Sequence, residues 1–261
     1  MIKDNVWYVP EDFQLKKFNI VLVGCGGTGS HFVVHELVYL FRSLIGLGHQ
    51  GFSLTVYDPS SVTQTNLVRQ AFLPNQVGHN KASAAIWQTK MLYGIDRQAN
   101  WTAVEGEFGK GEAERLNKTY VPTILVTMAD TPQVRKQIGE VLKYNPLLLW
   151  LDAGNDETGV QVVLGHGGDQ GLPCCTNLFS YADAPAENHK SCSADESLSR
   201  QELGVNSLSA RLSGALLWNM LRCGRLKSHG ALADSRDLSS QEILINPNTW
   251  AAFGYQQNTA A

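Results

Sequence analysis

The chain has 261 residues, which is long enough to bury one sizeable core. Hydrophobic residues make up 43% and charged residues 17%, proportions that are typical of a globular enzyme. The formal net charge of −3 argues against a general nucleic-acid binder, which would carry a basic surplus.

The N-terminal residues mix charged, amide and aromatic side chains and lack the apolar stretch of a secretory signal. No apolar run approaches the roughly 20 residues that a membrane span needs. Five cysteines are an odd number without framework spacing, which is typical of reduced thiols in a cytoplasm. We therefore expect a soluble, cytoplasmic protein with no membrane partner.

The first two thirds of the chain alternate short β-branched apolar runs with stretches of helical periodicity. Buried strands are predicted at 18–23, 52–57, 121–127, 147–151 and 158–164. Helices are predicted at 28–45, 78–92 and 132–143. This alternation predicts an α/β fold of the Rossmann-like, doubly wound type, with a mainly parallel sheet between two layers of helices.

In the last third, periodicity fades from 165 to 200, where Gly, Pro, Asp, Asn and Ser dominate. A helix is predicted over 201–222, and 243–245 with 250–255 predict a closing hairpin. We expect an N-terminal segment (1–17), a nucleotide-binding domain (18–164), a crossover loop (165–200), and a C-terminal helix with a small β extension (201–261) that completes the same domain.

A glycine-rich loop separates the first predicted strand from the first predicted helix. Its glycines are Gly24, Gly26, Gly27 and Gly29. Glycine lets the backbone approach a phosphate closely, and the helix N-terminus adds N–H donors and the positive end of a dipole. The loop therefore predicts a nucleotide site, with a structural turn as the alternative.

Asp58 ends the second predicted strand, where a carboxylate can accept hydrogen bonds from ribose hydroxyls. It lies 29 residues after Gly29, further than the usual roughly 20, and the long first helix accounts for the excess. A plain strand-end turn is the alternative, because Asp-Pro often begins one. At this point NAD and ATP are equally good ligands.

Three polar residues after this strand favour ATP over NAD. Asn66, Arg69 and Lys81 place an amide, a guanidinium and an ammonium close behind the ribose position. A dehydrogenase has no need of them, whereas an enzyme that cleaves a triphosphate uses cations against the charge that builds on the phosphate oxygens. For Arg69 and Lys81, solvated surface charge is the alternative.

The ordered series of these residues resembles the motifs of the ThiF/MoeB/HesA superfamily, which includes the ubiquitin-activating enzymes. The series consists of the glycine loop, Asp58, Asn66-Leu67-x-Arg69-Gln70, Gly78-x-x-Lys81 and Ala129-Asp130. The strong part of the resemblance covers 19–135, and a fainter part runs from 152 to 222.

The resemblance implies an ATP- and Mg²⁺-dependent adenylyltransferase. The C-terminal carboxylate of a ubiquitin-like β-grasp protein would attack the α-phosphate of ATP, giving an acyl-adenylate and pyrophosphate. Asp58 would hold the ribose. Asn66 and Arg69 would contact the phosphates, whose charge Lys81 would neutralise. Asp130, just after the strand at 121–127, would bind Mg²⁺ or position the carboxylate, with a helix N-cap as its alternative role.

Cys192 lies in the predicted crossover loop. In the superfamily a loop in this region often carries a cysteine that takes the activated acyl group, and attack of a thiol on an adenylate is ordinary nucleophilic catalysis. The resemblance makes Cys192 a candidate acceptor, and a loop cysteine without a role is the alternative. We expect no zinc, because the chain has no Cys-x-x-Cys pair.

The resemblance also suggests partners. Relatives often pass an N-terminal arginine across a dimer, but no arginine precedes Arg42 here, so the dimer is expected without that contact. The segment with Cys192, together with 196–198, 200–201 and 216–218, is similar to the ThiF family protein of the bacterial PRTRC cassette. That similarity implies a ubiquitin-like protein and a JAB-type protease-like protein as partners.

Three other functions stay open. The carboxylate can belong to a small molecule or a tRNA-linked group, as in one branch of the superfamily. The protein can be a nucleotide-binding scaffold without turnover, for which the missing arginine argues. It can also be an NAD-dependent oxidoreductase, against which Arg69 and Lys81 argue.

Overall fold

A computed structural model describes residues 1–95, 99–181 and 201–256. Its strands, in chain order, are β1 (Ile2–Lys3), β2 (Val6–Tyr8), β3 (Phe18–Val23), β4 (Phe52–Tyr57), β5 (Trp101–Val104), β6 (Thr123–Thr127), β7 (Leu148–Asn155), β8 (Gly159–Gly165), β9 (Arg225–Leu226), β10 (Ser228–Asp234) and β11 (Ser240–Leu244).

The helices of the same ranges are α1 (Asp12–Leu15), α2 (Gly27–His31), α3 (Val38–Gly46), α4 (Lys81–Tyr93), α5 (Lys110–Leu116), α6 (Pro132–Val141), α7 (Cys175–Leu178), α8 (Val205–Cys223) and α9 (Pro247–Ala252). A π-helical stretch, Phe32–Leu37, joins α2 to α3, and Gln64–Val68 and Pro74–Gln76 form 3₁₀ turns. No helix described here combines the length and apolarity that crossing a membrane requires.

Eight strands form the central sheet in the order β11-β10-β8-β7-β6-β3-β4-β5, and β1, β2 and β9 form a small separate sheet. The five strands from β7 to β5 are parallel, whereas β8, β10 and β11 join the β7 side antiparallel. The predicted α/β class with a mainly parallel sheet is therefore confirmed.

The chain places β4 on one side of β3 and β6 on the other. Val23, the last residue of β3, is paired with Tyr57 of β4 and with Thr127 of β6, so the three strands end at one level. Connections that leave neighbouring strands in opposite directions open a crevice at their carboxyl ends. The topology therefore positions a ligand site between β3 and β6.

An aromatic cluster covers the amino ends of β3, β4 and β5. The rings of Phe52 and Trp101 stack with centroids 5.5 Å apart, and Phe18 lies 5.3 Å from Phe52. Phe41 of α3 packs edge-on against Phe52 at 5.4 Å. Because Phe18, Phe52 and Trp101 each begin a strand, the core closes this end of the sheet and leaves the carboxyl end for function.

Several predicted boundaries are confirmed and others shift. The strands at 18–23 and 52–57 are confirmed, and the helix predicted over 28–45 is present as α2, the π-helical stretch and α3. The helix predicted from 78 begins only at Lys81, since Gly78 has φ +90° and the Asn80 side chain caps α4 by accepting the Ser83 N–H at 3.1 Å. The helix predicted from 201 begins at Val205.

The predicted closing hairpin is wrong. β11 pairs with β10, which precedes it, and the segment after it forms α9, with Pro247 in its first turn and Asn246 as its cap. β10 escaped prediction because its residues include no β-branched side chain. β5 escaped prediction because it is only four residues long.

Buried His229 of β10 fixes α9 against the sheet. The Trp250 Nε1–H donates to His229 Nε2 at 2.8 Å, and His229 Nδ1 lies 2.8 Å from the Leu164 carbonyl oxygen. An indole N–H can only donate, so Nε2 must be the acceptor and Nδ1 must carry the proton. Burial lowers the pKa of His229 to about 4, with the bond to Leu164 acting in the opposite direction.

We expect the free energy of unfolding to decrease as the pH falls from about 6.5 towards about 4, because the unfolded chain protonates His229 and the folded ring stays neutral. Replacement His229→Gln should make this decrease shallower. Urea titrations across that pH range measure it, with exposed His79→Gln as the control. Some dependence should remain, since burial lowers the pKa of His166 to about 4 as well. An unchanged slope in His229→Gln would contradict this account.

Candidate functional site

The glycine loop, which runs from the end of β3 into α2, has no room for side chains at Gly24, Gly27 and Gly29. Gly24 has φ +92°, and a Cβ there would lie 2.8 Å from the Met128 carbonyl oxygen. A Cβ on Gly29 would lie 2.1 Å from the Gly24 carbonyl oxygen. At Gly26, by contrast, a Cβ would meet only an oxygen of Asp130, at 4.0 Å. The backbone is therefore closely packed on β6 and open at Gly26, where a phosphate can approach.

Asp58 lies at the carboxyl end of β4, and its buried carboxylate holds the glycine loop. One oxygen accepts the Cys25 N–H at 2.6 Å, and the other accepts the Ser60 N–H at 2.8 Å. Burial raises the pKa of the Cys25 thiol well above its ordinary value, and the nearby Asp58 carboxylate raises it further. Cys25 is thus a protonated packing residue, and the hydrogen bond from its N–H to the Asp58 carboxylate fixes the position of the loop.

Lys81 is the first residue of α4, where its backbone N–H donates to the Ser60 carbonyl oxygen at 2.9 Å. Its ammonium is close enough to the glycine loop to lower the pKa of Cys25, against the effect of burial. Lys81 is thus a cation near the glycine loop, and its role in neutralising phosphate charge stays a prediction.

Arg69 ends the 3₁₀ turn Gln64–Val68 and lies on the α2 side of the loop. Its half-buried guanidinium donates from Nη1 to the side-chain oxygen of Gln201, and its carbonyl oxygen lies 3.1 Å from His31 Nε2. Burial lowers the pKa of His31, which favours the neutral ring. The contact of its carbonyl oxygen with His31, the last residue of α2, and the contact of its guanidinium with Gln201 hold Arg69 beside α2.

Asn66 shapes the turn that carries Arg69. Its side-chain oxygen accepts the Thr63 N–H at 2.9 Å, and its carbonyl oxygen accepts the N–H groups of Arg69 and Gln70 at 3.2 and 2.9 Å. The side-chain NH₂ is the group that is left to contact a phosphate. Asn66 thus contributes to the predicted site partly by fixing the geometry of the turn that carries Arg69.

Asp130 follows β6 and is exposed at the crevice. The N-cap of α6 is Thr131, so the helix-cap role considered for Asp130 is wrong. Beside Asp130 lies an open cavity of about 460 Å³, between the ends of β6, β7 and β8 and one end of β10. Its polar lining includes Asp130, Arg135, Asn155, Asp156, Gln161 and Tyr181.

The wall of this cavity is a buried ion pair that the sequence reasoning missed. Arg135 Nε lies 2.7 Å from Asp152 Oδ1, and both side chains are less than a tenth exposed. The guanidinium also donates to the carbonyl oxygens of Ala129 and Ala153, at 3.0 and 3.1 Å. It therefore joins the ends of β6 and β7. The sequence signal was the single carboxylate, Asp152, within an apolar strand, since a buried charge needs a partner.

The described cysteines other than Cys25 differ in burial. Cys192 lies outside the described residues. Cys174 and Cys175 are buried, and burial raises the pKa of both thiols, whereas Cys223 is exposed. In the described part of the chain, no three His, Cys, Asp or Glu side chains form a group that can hold a metal ion.

The model of the ThiF family matches residues 5–233, which include the glycine loop and each described residue of the candidate site. The chain belongs to the ThiF family. None of the curated proteins matches it. Assignment of this ThiF-family protein to the PRTRC subgroup stays a prediction.

Solved structures share the fold of this ThiF-family protein. E. coli MccB with ATP is 18% identical, with a TM-score of 0.62 over 90% of this chain and 65% of that chain. E. coli MccB with selenomethionine MccA is 17% identical, with a TM-score of 0.63 over 96% and 67%. PaaA is 18% identical, with a TM-score of 0.61 over 90% and 66%. The chain spans about two thirds of the length of these structures.

We expect Gly29→Ala to destabilise the protein by about 1–3 kcal/mol, because the new methyl group would overlap the Gly24 carbonyl oxygen. It should also weaken nucleotide binding by moving the loop. Thermal unfolding and ATP titration measure the two effects. Gly46→Ala is the matched control, since a Cβ there meets nothing within 4 Å and alanine favours a helix by up to about 1 kcal/mol. Equal behaviour of the two variants would contradict the close-packing argument.

Replacement Asp152→Asn should cost about 3–5 kcal/mol of unfolding free energy, because it leaves the buried Arg135 charge without its carboxylate. Glu157→Gln is the control, since it breaks an exposed ion pair with Arg236, which water screens and which therefore contributes little to stability. Chemical denaturation measures both. A cost for Asp152→Asn as small as that of the control would show that the pair contributes little to stability.

Proposed function

We propose that this ThiF-family protein uses ATP and Mg²⁺ to adenylate a C-terminal carboxylate on a protein or peptide. The observation that carries the proposal is the convergence of the motif residues at the carboxyl edge of the sheet. The glycine loop lies between Asp58 on the β4 side and Asp130 on the β6 side, and Arg69 and Lys81 flank it. This edge therefore offers groups that can bind a ribose, a triphosphate and the substrate carboxylate.

The residues present fit ATP. Each oxygen of the Asp58 carboxylate accepts one backbone N–H, which leaves lone pairs for ribose hydroxyls. The open backbone at Gly26, next to the N-terminus of α2, suits phosphate oxygens. Arg69 and Lys81 would stabilise the negative charge that develops on the leaving pyrophosphate.

In the proposed reaction, a substrate carboxylate oxygen forms a bond to the α-phosphorus of ATP. The bond from that phosphorus to the bridging oxygen breaks, and its electron pair leaves with pyrophosphate. Mg²⁺ would neutralise phosphate charge, and Asp130 would hold it together with phosphate oxygens and water, as Mg²⁺ sites of this kind commonly do. The same carboxylate is placed to orient the substrate, because it borders both the loop and the cavity.

The cavity beside Asp130 is the proposed site of the substrate C-terminus. It is open to solvent on one side, as a chain that continues outward requires. Structures of MccB with MccA, which share this fold, support a peptide as the source of the carboxylate. The finer proposal is a ubiquitin-like β-grasp protein, with transfer of the acyl group to Cys192, a homodimeric assembly, a cytoplasmic location and a JAB-type protease-like protein as a further partner.

Exchange of labelled pyrophosphate into ATP tests the proposal, with purified protein, Mg²⁺ and a candidate β-grasp protein. Wild-type protein should catalyse exchange, and Arg69→Ala or Lys81→Ala should lower its rate by about 10²–10³-fold, since each removes a charge stabiliser. Lys90→Ala is the control, because Lys90 is exposed on the same helix as Lys81. Wild-type rates in both site variants would contradict the roles given to these cations.

The same assay separates the other functions. Exchange that requires only a small carboxylic acid would show that the substrate is a small molecule and not a protein. Tight ATP binding without exchange under any partner would indicate a scaffold, and preference for NAD over ATP would overturn the nucleotide assignment. A reducible conjugate that Cys192→Ala fails to form would support the acyl transfer, whereas conjugation by that variant would exclude Cys192 as the acceptor.

A further inference from the structure

A series of side chains connects Arg69 with the cavity on the other side of the glycine loop. Arg69 Nη1 donates to Gln201 Oε1, and Asn206 Nδ2 donates to the same oxygen at 3.2 Å. Asn206 Oδ1 lies 3.3 Å from the Thr28 hydroxyl, which is 2.8 Å from Asn155 Oδ1. We call these five residues the polar series. It crosses the first turn of α2, from the side of Arg69 and Lys81 to the side of the cavity beside Asp130.

The direction of these hydrogen bonds is set by Arg69. A guanidinium has only donors, so Gln201 must present its oxygen, and Asn206 must then present its NH₂ to that oxygen. The Asn206 oxygen is left facing Thr28, whose hydroxyl can donate to it or to Asn155. Because one charged residue orients the amide groups that follow, the series has a single arrangement from Arg69 to Asn206.

The middle of the series is packed against the loop as well as hydrogen-bonded. Asn206 and Thr28 are buried. A Cβ on Gly27 would lie 2.4 Å from Asn206 Oδ1, so Gly27 provides the space that the amide occupies. The position of Gln201, which is bonded to Asn206, is therefore coupled to the position of the glycine loop.

Gln201 suits this position chemically. An amide oxygen accepts a hydrogen bond from a guanidinium without neutralising its charge, so Arg69 keeps its full attraction for phosphate. A carboxylate would bind the guanidinium more strongly and cancel that charge. An apolar residue would leave the half-buried guanidinium free to turn towards solvent.

We propose that Gln201 is a positioning residue, which holds the Arg69 guanidinium towards the triphosphate and, through Asn206, joins it to the glycine loop. This inference rests on the proposed function, because Arg69 is assigned there to the phosphates. It adds a residue that acts through Arg69 and touches neither the nucleotide nor the substrate.

Binding of ATP and of adenosine to the full-length protein tests the role. Gln201→Ala should weaken ATP binding by about three- to tenfold, the effect of one hydrogen bond, and leave adenosine binding unchanged. Gln201→Glu should also weaken ATP binding without affecting adenosine, since the carboxylate neutralises Arg69. A general structural defect would weaken both ligands. Gln241→Ala, an exposed glutamine of edge strand β11, is the matched control.

A double-mutant cycle distinguishes action through Arg69 from an independent contact. Once Arg69→Ala is present, adding Gln201→Ala should change ATP affinity by less than about twofold, because the residue that Gln201 orients is gone. Additive losses, a parallel loss of adenosine binding, or tighter ATP binding by Gln201→Ala would each overturn the role. If the wild-type protein binds no ATP, the proposed function itself fails. If it binds ATP and Gln201→Ala binds equally well, only the positioning role fails.

Discussion

The candidate site depends on Gly24, where the backbone leaves β3 and passes between the ends of β4 and β6. The Gly24 N–H donates to the Tyr57 carbonyl oxygen at 2.9 Å, and the Met128 N–H donates to the Val23 carbonyl oxygen at 2.9 Å. These bonds continue the pairing of β3 with β4 and β6 one step beyond the strands. Because a Cβ at Gly24 would collide with the end of β6, the loop can leave the sheet only as it does. Asp58 and Asp130 are thereby placed on its two sides.

This arrangement separates the charges of the site. The cations Arg69 and Lys81 flank the glycine loop, where the proposed phosphates would lie. Asp130 and Asp156 line the cavity on the other side, and the buried pair of Arg135 with Asp152 closes its wall. A buried pair contributes little net charge, so the wall holds the strand ends together without opposing the charge of the proposed substrate carboxylate. The proposed reaction would take place where the two regions meet, beside Gly26.

Much of the fold could be predicted because its signals are local. β3 and β4 are short, apolar and bounded by turn residues, and their limits follow directly from the sequence. The C-terminal segment is harder to predict from the sequence. β10 carries Ser, His, Gly and Ala, and is a strand because its neighbours β8 and β11 supply hydrogen-bond partners on both sides. Trp250 looked like part of a strand, yet it lies in a helix that a proline and a capping asparagine begin.

By itself, the sequence determined the glycine loop, the carboxylate after β4 and the cations that follow, because each depends on residue type and on spacing to a near neighbour. Only the tertiary structure decided which distant side chains complete the site. Arg69 and Gln201 are 132 residues apart, and Thr28 and Asn155 are 127 apart. Contacts between residues so far apart in the sequence arise from the strand order and from the packing of α8 on α2. They produce no periodic pattern in the sequence. The chemistry of the loop is thus encoded locally, whereas its supports are products of the fold.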